Sequence, residues 1–473
     1  MSRVLIINRG EIAIRVAKAL RELGHTAVGI WTDNELQPSH LEYCHEWVHL
    51  AGMTNKETYL NVDAIMNLIK EHKIEAVHPG YGFLSENMKF CELLEKNKII
   101  FIGPNSKAIH SMGDKAISKN IAKKAGVPVV PGSVGEVASI PEAMKIAKEV
   151  GYPVLLKAVA GGGGKGMRTC FNDEELNKNF EAVKREAASS FGYEGVLVEK
   201  FILNPHHIEV QILADKKGNV YYCFERECSI QRRHQKIVEE APSPFIGSDE
   251  KLRREVCETA VQLAKTVGYD SAGTVEFIMG EDRKFYFLEM NTRIQVEHPI
   301  TEEITGIDLV ANMVKSAFGE ELDIKSQADI NYRGHSIECR ICAEDPITML
   351  PAPGKIIGFE TTFPQGIRFD HCIYAGEEIT PQFDPMIGKL IATGITREVA
   401  IRKLQAALDG LIIDGLKSNT SLHKAIVREP NFIKGKYTTN YLAEVKPQNQ
   451  VSTNHEYYKL AEKIISMELD QLI

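Results

Sequence analysis

No long apolar run exists in the 473 residues. Nothing approaches the ~18 residues that a membrane helix needs. The first apolar run, residues 4–7, is followed at once by charge at Arg9 and Glu11, which excludes a signal-peptide core. The expectation is a soluble, cytoplasmic, unsecreted protein. A clustered, even set of cysteines is missing too. The nine cysteines are scattered between positions 44 and 372, a pattern of reduced thiols and not of a disulfide framework. One Cys-x-x-Cys, Cys339 and Cys342, lies in the strand-like SIECRICAE. Side chains three apart on a strand face opposite ways, and no second pair completes a zinc site. Positive charge is not in excess: 56 Lys and Arg stand against 64 Asp and Glu, net −8. No broad grip on nucleic acid or an anionic membrane follows, although a local cationic pocket is compatible with it. Repeats and low-complexity tracts are absent. With 44% hydrophobic and 25% charged residues the composition is that of a globular protein, not of collagen, coiled coil or disorder. The length suggests about three domains.

The first hundred residues alternate short apolar runs with helical spacing. Strands are expected at 4–8, 26–31, 76–78 and 99–102, and helices at 11–23, 62–71 and 85–97 with Ser85 as cap. This rhythm implies a parallel sheet. One helical stretch, 106–126, follows, and a Pro-, Gly- and Val-rich connection at 127–137. A small α+β unit comes next, with a strand at 154–157, a glycine loop, a second strand, a helix at 173–189 and a strand at 195–200. Beyond a long helix at 249–267, AGTVEFIM and KFYFLEMN read as a hairpin turning at 280–283. From about residue 332 a third unit begins, with one amphipathic helix near 397–408, and the last stretch ends in a helical pattern.

The glycine run at 161–166 is followed by strand-like MRTCF. A dinucleotide fingerprint needs a helix there, and a P-loop needs Ser or Thr where Met167 stands. A glycine flap between two strands remains, able to lay backbone N–H groups over phosphates, with Lys157 and Lys165 bracketing it. In the hairpin, Glu289 and Asn291 share a face and Glu276 is expected roughly diagonal to Glu289, about 7 Å away. Their hard oxygens suit Mg²⁺ held against a nucleotide phosphate. Phe285, Phe287 and Leu288 mark the hairpin as buried. Arg293, Gln295 and Glu297 follow at alternate positions and would project one way if the chain stays extended, a cation, an amide and a carboxylate suited to binding a small anion and taking its proton. The segment ERECSIQRRHQKIVEEAP, 225–242, holds Gln231, His234 and Lys236, and by spacing alone reads as a solvated charged turn.

Nine motifs, NRGEIA, HPGYGFLSEN, MGDK, YPVLLKA…GGGGKGM, ECSIQRRHQK, EEAPSP, EMNTRIQVEHP, GHSIECRICAEDP and DPMIGKL, run in one order over roughly residues 1–445. In this the chain resembles the biotin carboxylase component of biotin-dependent carboxylases, within the ATP-grasp superfamily. The resemblance implies an α/β and α+β fold: a Rossmann-like N-terminal domain at 1–113, an ATP-grasp domain at 114–331 with a mobile glycine-loop lid at about 132–203, a C-terminal domain at 332–445, and a tail at 446–473. It implies that Lys115, Lys157, His207 and His234 contact ATP, with Gln231 nearby, that Gly163 and Gly164 close over the phosphates, and that Glu199, Lys200 and Ile202 meet the adenine. Glu276, Glu289 and Asn291 would hold Mg²⁺ or Mn²⁺. Lys236, Arg293, Gln295 and Val296 would bind bicarbonate, Glu297 would be the general base, and Arg340 would face the ureido oxygen of biotin.

Val159 and Ala160 depart from the family pattern, which commonly has a small polar residue or glycine after the lysine, so a slightly stiffer loop entry is expected. Glu142-Ala143-Met144-Lys145 looks like the start of a biotin attachment motif, but Ile146 replaces its second Met and the stretch has helical spacing. The remaining ~28 residues are too few for a carrier domain, so a separate biotin carboxyl carrier protein and carboxyltransferase subunits are expected as partners, with a homodimer as in the family. Another ATP-grasp ligase is disfavoured by ECRICAED and HPGYGFLSEN, and a non-catalytic regulator by the intact set of Glu276, Glu289, Lys236, Arg293 and Glu297. The acyl acceptor, acetyl-CoA, propionyl-CoA or pyruvate, is not readable.

Overall fold

The computed structural model describes residues 1–35, 38–158, 167–191, 193–233 and 235–446. The glycine run with Gly163, Gly164 and Lys165, the departures Val159 and Ala160, His234, and the tail from 447 onward lie outside the described residues.

The amino end keeps the alternation its sequence predicts, with one strand beyond the four expected, β3. Strands β1 (Arg3–Ile6), β2 (Thr26–Thr32), β3 (Glu46–Leu50), β4 (Ala76–His78) and β5 (Ile100–Phe101) form a parallel sheet in the order β3-β2-β1-β4-β5. Helices α1 (Gly10–Glu22), α2 (Val62–Glu71) and α3 (Met88–Lys96) connect them. Helix α3 starts three residues later than expected. The cap is Asn87, whose side chain accepts from Phe90 N, while Ser85 is buried in the preceding turn. The expected helix at 106–126 is two, α4 (Ser106–Gly113) and α5 (Lys115–Lys124). Asp114 breaks it: its backbone is extended and its carboxylate caps Ala116 N and Ile117 N.

The small unit contains α6 (Ile140–Val150), β6 (Val154–Ala158), β7 (Met167–Cys170), α7 (Asp173–Phe191) and β8 (Val196–Lys200). Its strands pair antiparallel as β7-β6-β8. Alternate residues Val154, Leu156, Val196 and Val198 bury against Leu176, Phe180 and Val183 of α7. Lys145 is exposed within α6, not at a hairpin tip.

A single eight-stranded antiparallel sheet then spans two regions. It contains β9 (His206–Ala214), β10 (Val220–Arg232), β11 (Gln235–Ala241), β12 (Ala272–Met279), β13 (Phe285–Asn291) and β14 (His335–Cys342). The helices α8 (Glu250–Thr266), α9 (His298–Thr305) and α10 (Leu309–Phe318) pack on it. The segment 225–242 is therefore not a solvated turn but two paired strands, and its Glu225, Arg226, Glu227, Glu239 and Glu240 are buried, each with a partner of opposite or hydrogen-bonding character. The C-terminal region adds β15 (Gly354–Lys355), β16 (Gly358–Thr361), β17 (Ile367–His371), β18 (Glu378–Ile379), β19 (Met386–Gly394) and β20 (Leu411–Asp414). Of its helices, α11 (Arg397–Asp409) was expected, while α12 (Thr420–Ile426), α13 (Pro430–Ile433) and α14 (Tyr441–Val445) were too short to leave a clear period. The sheet order β13-β12-β9-β10-β11-β14-β19-β17 joins the regions by the β11–β14 ladder. All nine cysteines are free thiols. Among the described residues no helix is long and apolar enough to cross a membrane.

Candidate active site

Strand register builds the floor of the site. On neighbouring strands Glu289 faces Glu276, Glu276 faces Glu209, and Glu209 faces Arg226. Three carboxylates thus stand side by side across β13, β12 and β9. Glu276 opposes Glu289 directly, not diagonally, because a bulge follows Glu276 and leaves Leu288 as the extra residue. That bulge also corrects the burial reading: Phe285 and Phe287 are buried, but Leu288 is 41% exposed.

Like charges placed directly opposite repel, and buried cations offset them here. The Lys236 ammonium, on β11, donates to Glu276 Oε1 at 2.8 Å, to Glu297 Oε1 at 2.7 Å and to Glu209 Oε2. His207 Nε2 lies 2.9 Å from Glu276 Oε2. The Arg226 guanidinium, wholly buried, pairs with Glu209 and donates to Gln211, Thr274, Thr301 and, at 2.8 Å, to Gln295 Oε1. Gln295 in turn donates to Glu276 Oε1 at 2.7 Å.

The chain does not stay extended after Asn291. It turns through 292–297 and enters α9, so alternate projection is not what brings Arg293, Gln295 and Glu297 into the site. External contacts do. Glu86 accepts from Thr292 N at 3.0 Å, Thr292 Oγ1 at 3.2 Å and Arg293 Nε at 3.1 Å. Glu86 is set by the 78–87 loop, whose Gly80 has φ +61° and would place a Cβ 2.8 Å from the Asn8 amide nitrogen. That amide holds the Pro79 and Tyr81 carbonyls, so only glycine fits. From β14, Arg340 donates to Glu297 Oε2 at 2.9 Å and to Glu239 Oε1 at 2.6 Å. Glu297 is therefore gripped by Lys236 on one oxygen and Arg340 on the other.

Burial sets the electrostatics, and partners decide its direction. Burial pushes Glu297 up, but Lys236, Arg340 and Arg226 hold it well below the usual carboxylate range. Glu276 behaves alike, with Lys236 and His207 outweighing burial. Burial disfavours the charges on Lys236 and His207, yet the surrounding glutamates raise both. Glu239 goes the other way, to about 7, because burial and Glu297 outweigh Arg340. Glu289 is raised by burial and then by Glu276, with Lys115 opposing.

The donor set of Glu276, Glu289 and Asn291 fits a hard divalent cation. Two opposed carboxylates supply oxygen, and burial first and the facing Glu276 second disfavour the charge on Glu289, which a cation between them would favour. Asn291 lies in the same cluster, its amide donating to Glu276 Oε1 at 2.8 Å and its Oδ1 accepting from Arg293 at 3.2 Å. The groups His207–Glu209–Glu276 and Glu209–Cys228–Glu297 also bring ligand atoms within 4.8 Å of one another, but the Lys236 ammonium already sits among their three carboxylates.

The remaining expected residues are less convergent. Lys115 begins α5 near Glu289. Lys157 and Glu199 lie on adjacent strands of the small unit, 4.0 Å apart, and Glu199 pairs with Lys119 at 2.5 Å. The Lys200 ammonium is taken by the carbonyls of Gly151 and Tyr152, both at 2.8 Å. Gln231 faces Lys236 in the β10–β11 register, and Ile202 is half-buried after β8. Sequence reasoning missed Glu86, Glu209, Arg226, Glu239 and Lys389. Glu209 carried a signal, since it is the one carboxylate in HHIEVQILA and, two residues from His207, shares its face.

A three-part chain whose middle presents this acidic, cation-balanced row has the architecture of an ATP-grasp enzyme. Family profiles agree: residues 1–109 match "Biotin carboxylase, N-terminal domain", 114–325 "Carbamoyl-phosphate synthase L chain, ATP binding domain", and 338–444 "Biotin carboxylase C-terminal domain". The chain belongs to the biotin carboxylase family. It is 46% identical to the biotin carboxylase of Pseudomonas aeruginosa, over 93% of this chain and 98% of that one. To the propionyl-CoA carboxylase alpha chain of Ruegeria pomeroyi it is 47% identical, over 96% of this chain and 69% of the relative. The bicarbonate-bound biotin carboxylase domain of a thermophilic 2-oxoglutarate carboxylase superposes with a TM-score of 0.90 at 47% identity, over 94% of this chain and 98% of that one.

Proposed function

We propose that this chain carboxylates N1′ of biotin on a separate biotin carboxyl carrier protein, using ATP and bicarbonate, through carboxyphosphate. The observation that carries the reading is the grip of Lys236 and Arg340 on the two oxygens of the buried Glu297. Bicarbonate is a poor electrophile and needs activation. Lys236, Arg293, Gln295 and the Val296 backbone bind it, and Glu297 removes its proton. A carboxylate held so far below its ordinary pKa is a weak base. Bicarbonate supplies a new partner for Lys236, and as that ammonium turns to it Glu297 recovers basicity. The bicarbonate oxygen then attacks the γ-phosphorus and ADP leaves, with Lys115, Lys157, His207, His234, Gly163 and Gly164 spreading the phosphate charge.

Carboxyphosphate breaks to CO₂ and phosphate. The phosphate takes the N1′ proton, N1′ attacks CO₂, and Arg340 with Arg293 steadies the oxyanion that develops on the ureido oxygen. Glu199, Lys200 and Ile202 meet the adenine, with Gln231 near the nucleotide. Glu276, Glu289 and Asn291 would hold Mg²⁺, or Mn²⁺ in its place, which when bound neutralises phosphate charge. In this reading domains run 1–113, 114–331 with the lid at about 132–203, and 332–445, followed by the 446–473 tail. The protein works as a homodimer with carboxyltransferase subunits acting on an acyl-CoA or a keto acid, and its nine free thiols suit the reducing cytoplasm.

Bicarbonate-dependent ATP cleavage, measured with and without free biotin, tests the reading. Biotin stimulates it, and Glu297→Ala keeps ATP binding while losing the bicarbonate-dependent rate. Absence of biotin stimulation, or unchanged turnover in Glu297→Ala, overturns it.

A further inference from the structure

The 292–297 loop is held at both ends by groups from other parts of the fold. Glu86 takes the entry. At the exit, Lys389 Nζ donates to the Val296 carbonyl at 2.9 Å and pairs with Glu11 Oε2 at 3.0 Å. Lys389 is fully buried. It projects from β19 opposite Arg340 of β14 and Asp370 of β17, while Glu11 begins α1 and also accepts from the Tyr81 hydroxyl. One ammonium thus joins the parallel-sheet region, the site loop and the C-terminal region. A buried ammonium is costly to desolvate, so the contact it keeps is informative.

That contact is to the peptide joining Val296 to Glu297. Glu297 occupies the cap position of α9 yet makes no capping hydrogen bond, because its carboxylate faces Lys236 and Arg340. Its side chain does not lock its own backbone: the Gln295 and Glu297 carbonyls are held within the turn, and the Val296 carbonyl between them is held by Lys389.

We propose that Lys389 is a positioning residue for the bicarbonate step: by fixing the Val296–Glu297 peptide it sets the Glu297 carboxylate against the bound anion, an inference that rests on the roles given above to Val296 and Glu297. It acts through the peptide and does not touch substrate. The nucleotide residues sit on other strands and on the small unit, so the effect falls on bicarbonate alone.

The test is steady-state ATP cleavage by the full chain carrying Lys389→Met, with bicarbonate and ATP varied separately. Displacement of a reacting group by about 1 Å costs on the order of 100-fold in rate. The expected result is a bicarbonate KM raised ~10-fold or more with a lower kcat, while the ATP KM stays within about twofold. Because methionine leaves Glu11 buried without its cation, the paired variant Glu11→Gln/Lys389→Met, which removes both charges together, is measured beside it and shows the same split. Glu297→Gln serves as the parallel control. If it retains bicarbonate-dependent cleavage, the assignment of the base falls, and the proposal with it. If Glu297→Gln is inactive while both Lys389 variants keep the wild-type bicarbonate KM, the role of Lys389 alone is refuted. A rise of both KM values in step shows a merely structural pin and overturns it equally.

Discussion

Replacing Lys236 with methionine keeps most of the side-chain volume and removes one charge from among Glu209, Glu276 and Glu297. At about 2.8 Å and an effective dielectric of about 20, each contact is worth roughly 6 kcal/mol of gross Coulomb energy, against which stands the desolvation of a buried ion. Removing one partner of such a group costs about 3–5 kcal/mol, because the others stay buried and uncompensated. The variant relieves this by taking up a proton. In the native protein Lys236 helps hold Glu276 and Glu297 well below the usual range. Their contribution to stability is present above the ordinary carboxylate pKa of about 4.5 and is lost only as pH falls below it. In Lys236→Met the sign reverses. A carboxyl with a raised folded pKa stabilises the fold while it stays protonated, and that contribution is lost as pH rises.

The assay is urea unfolding of both proteins in metal-free buffer at pH 5.5 and pH 8. One retained proton over that window is worth up to about 3 kcal/mol, at about 1.36 kcal/mol per pH unit. The stability gap between the two proteins is therefore wider at pH 8 by up to about 3 kcal/mol, and adding Glu209→Gln to the variant narrows it. A gap of equal size at both pH values would falsify the reasoning, since the three carboxylates would then not depend on Lys236 for their charge.

Glu86→Gln weakens the hold on Thr292 and frees Arg293; the bicarbonate KM rises by about tenfold with little change in the ATP KM, read from the same steady-state assay. Glu240 accepts from His335, from Arg397 at 2.7 and 3.0 Å, and from Tyr437. Although burial opposes its charge, Arg397 and His335 bring its pKa down to about 2. That shift from about 4.5 is worth roughly 3 kcal/mol, present above the unfolded value and lost as pH falls toward 2. Glu240→Gln lowers the unfolding free energy by about that amount at pH 7 and flattens the acid limb of the stability curve, checked by urea melts across pH.

Periodicity made the parallel sheet, the small unit and the β12–β13 hairpin legible: the parallel strands bury both faces and read as continuous apolar runs, and the small unit buries one face against its own helices. The segment 225–242 defeated it. A run with so much charge reads as solvated unless the counter-charges are visible, and these come from far away: Arg253 for Glu225, His206 for Glu227, Arg340 for Glu239, Arg397 for Glu240. The bulge after Glu276 is another instance, since one extra residue turns a diagonal pair into a direct one and exposes Leu288. Within the site, Glu276, Glu289 and Asn291 stood out as residue types suited to the chemistry, while Lys236 was reached only through the family resemblance. Glu86 and Lys389 did not stand out, because their partners, Thr292 and Arg293 for the one and Glu11 and the Val296 carbonyl for the other, lie far away in sequence and leave no local pattern.

The placement of Arg340 follows from hydrogen-bond ladders more than from docking between domains. Strand β14 pairs with β11, Glu338 opposite Glu239, and Arg340 lies two residues further along, on the same face. Lys236 lies three residues before Glu239 on that same β11, and the irregularity that leaves Ile237 unpaired against β10 returns it to the face of Glu239. The two cations that grip Glu297 are thus carried by adjacent, paired strands, and their separation is set by backbone geometry. Among the described residues the small unit shares no ladder with this sheet: β7, β6 and β8 pair with one another, and Gly132 bridges to Glu199. The eight-stranded sheet therefore carries Lys236 and Arg340, which hold Glu297 of the 292–297 loop, and a separate three-stranded ladder carries Lys157, Glu199 and Lys200. Substitutions in the small unit should shift the ATP KM and leave the geometry around Glu297 alone, whereas substitutions at the β11–β14 ladder should do the reverse.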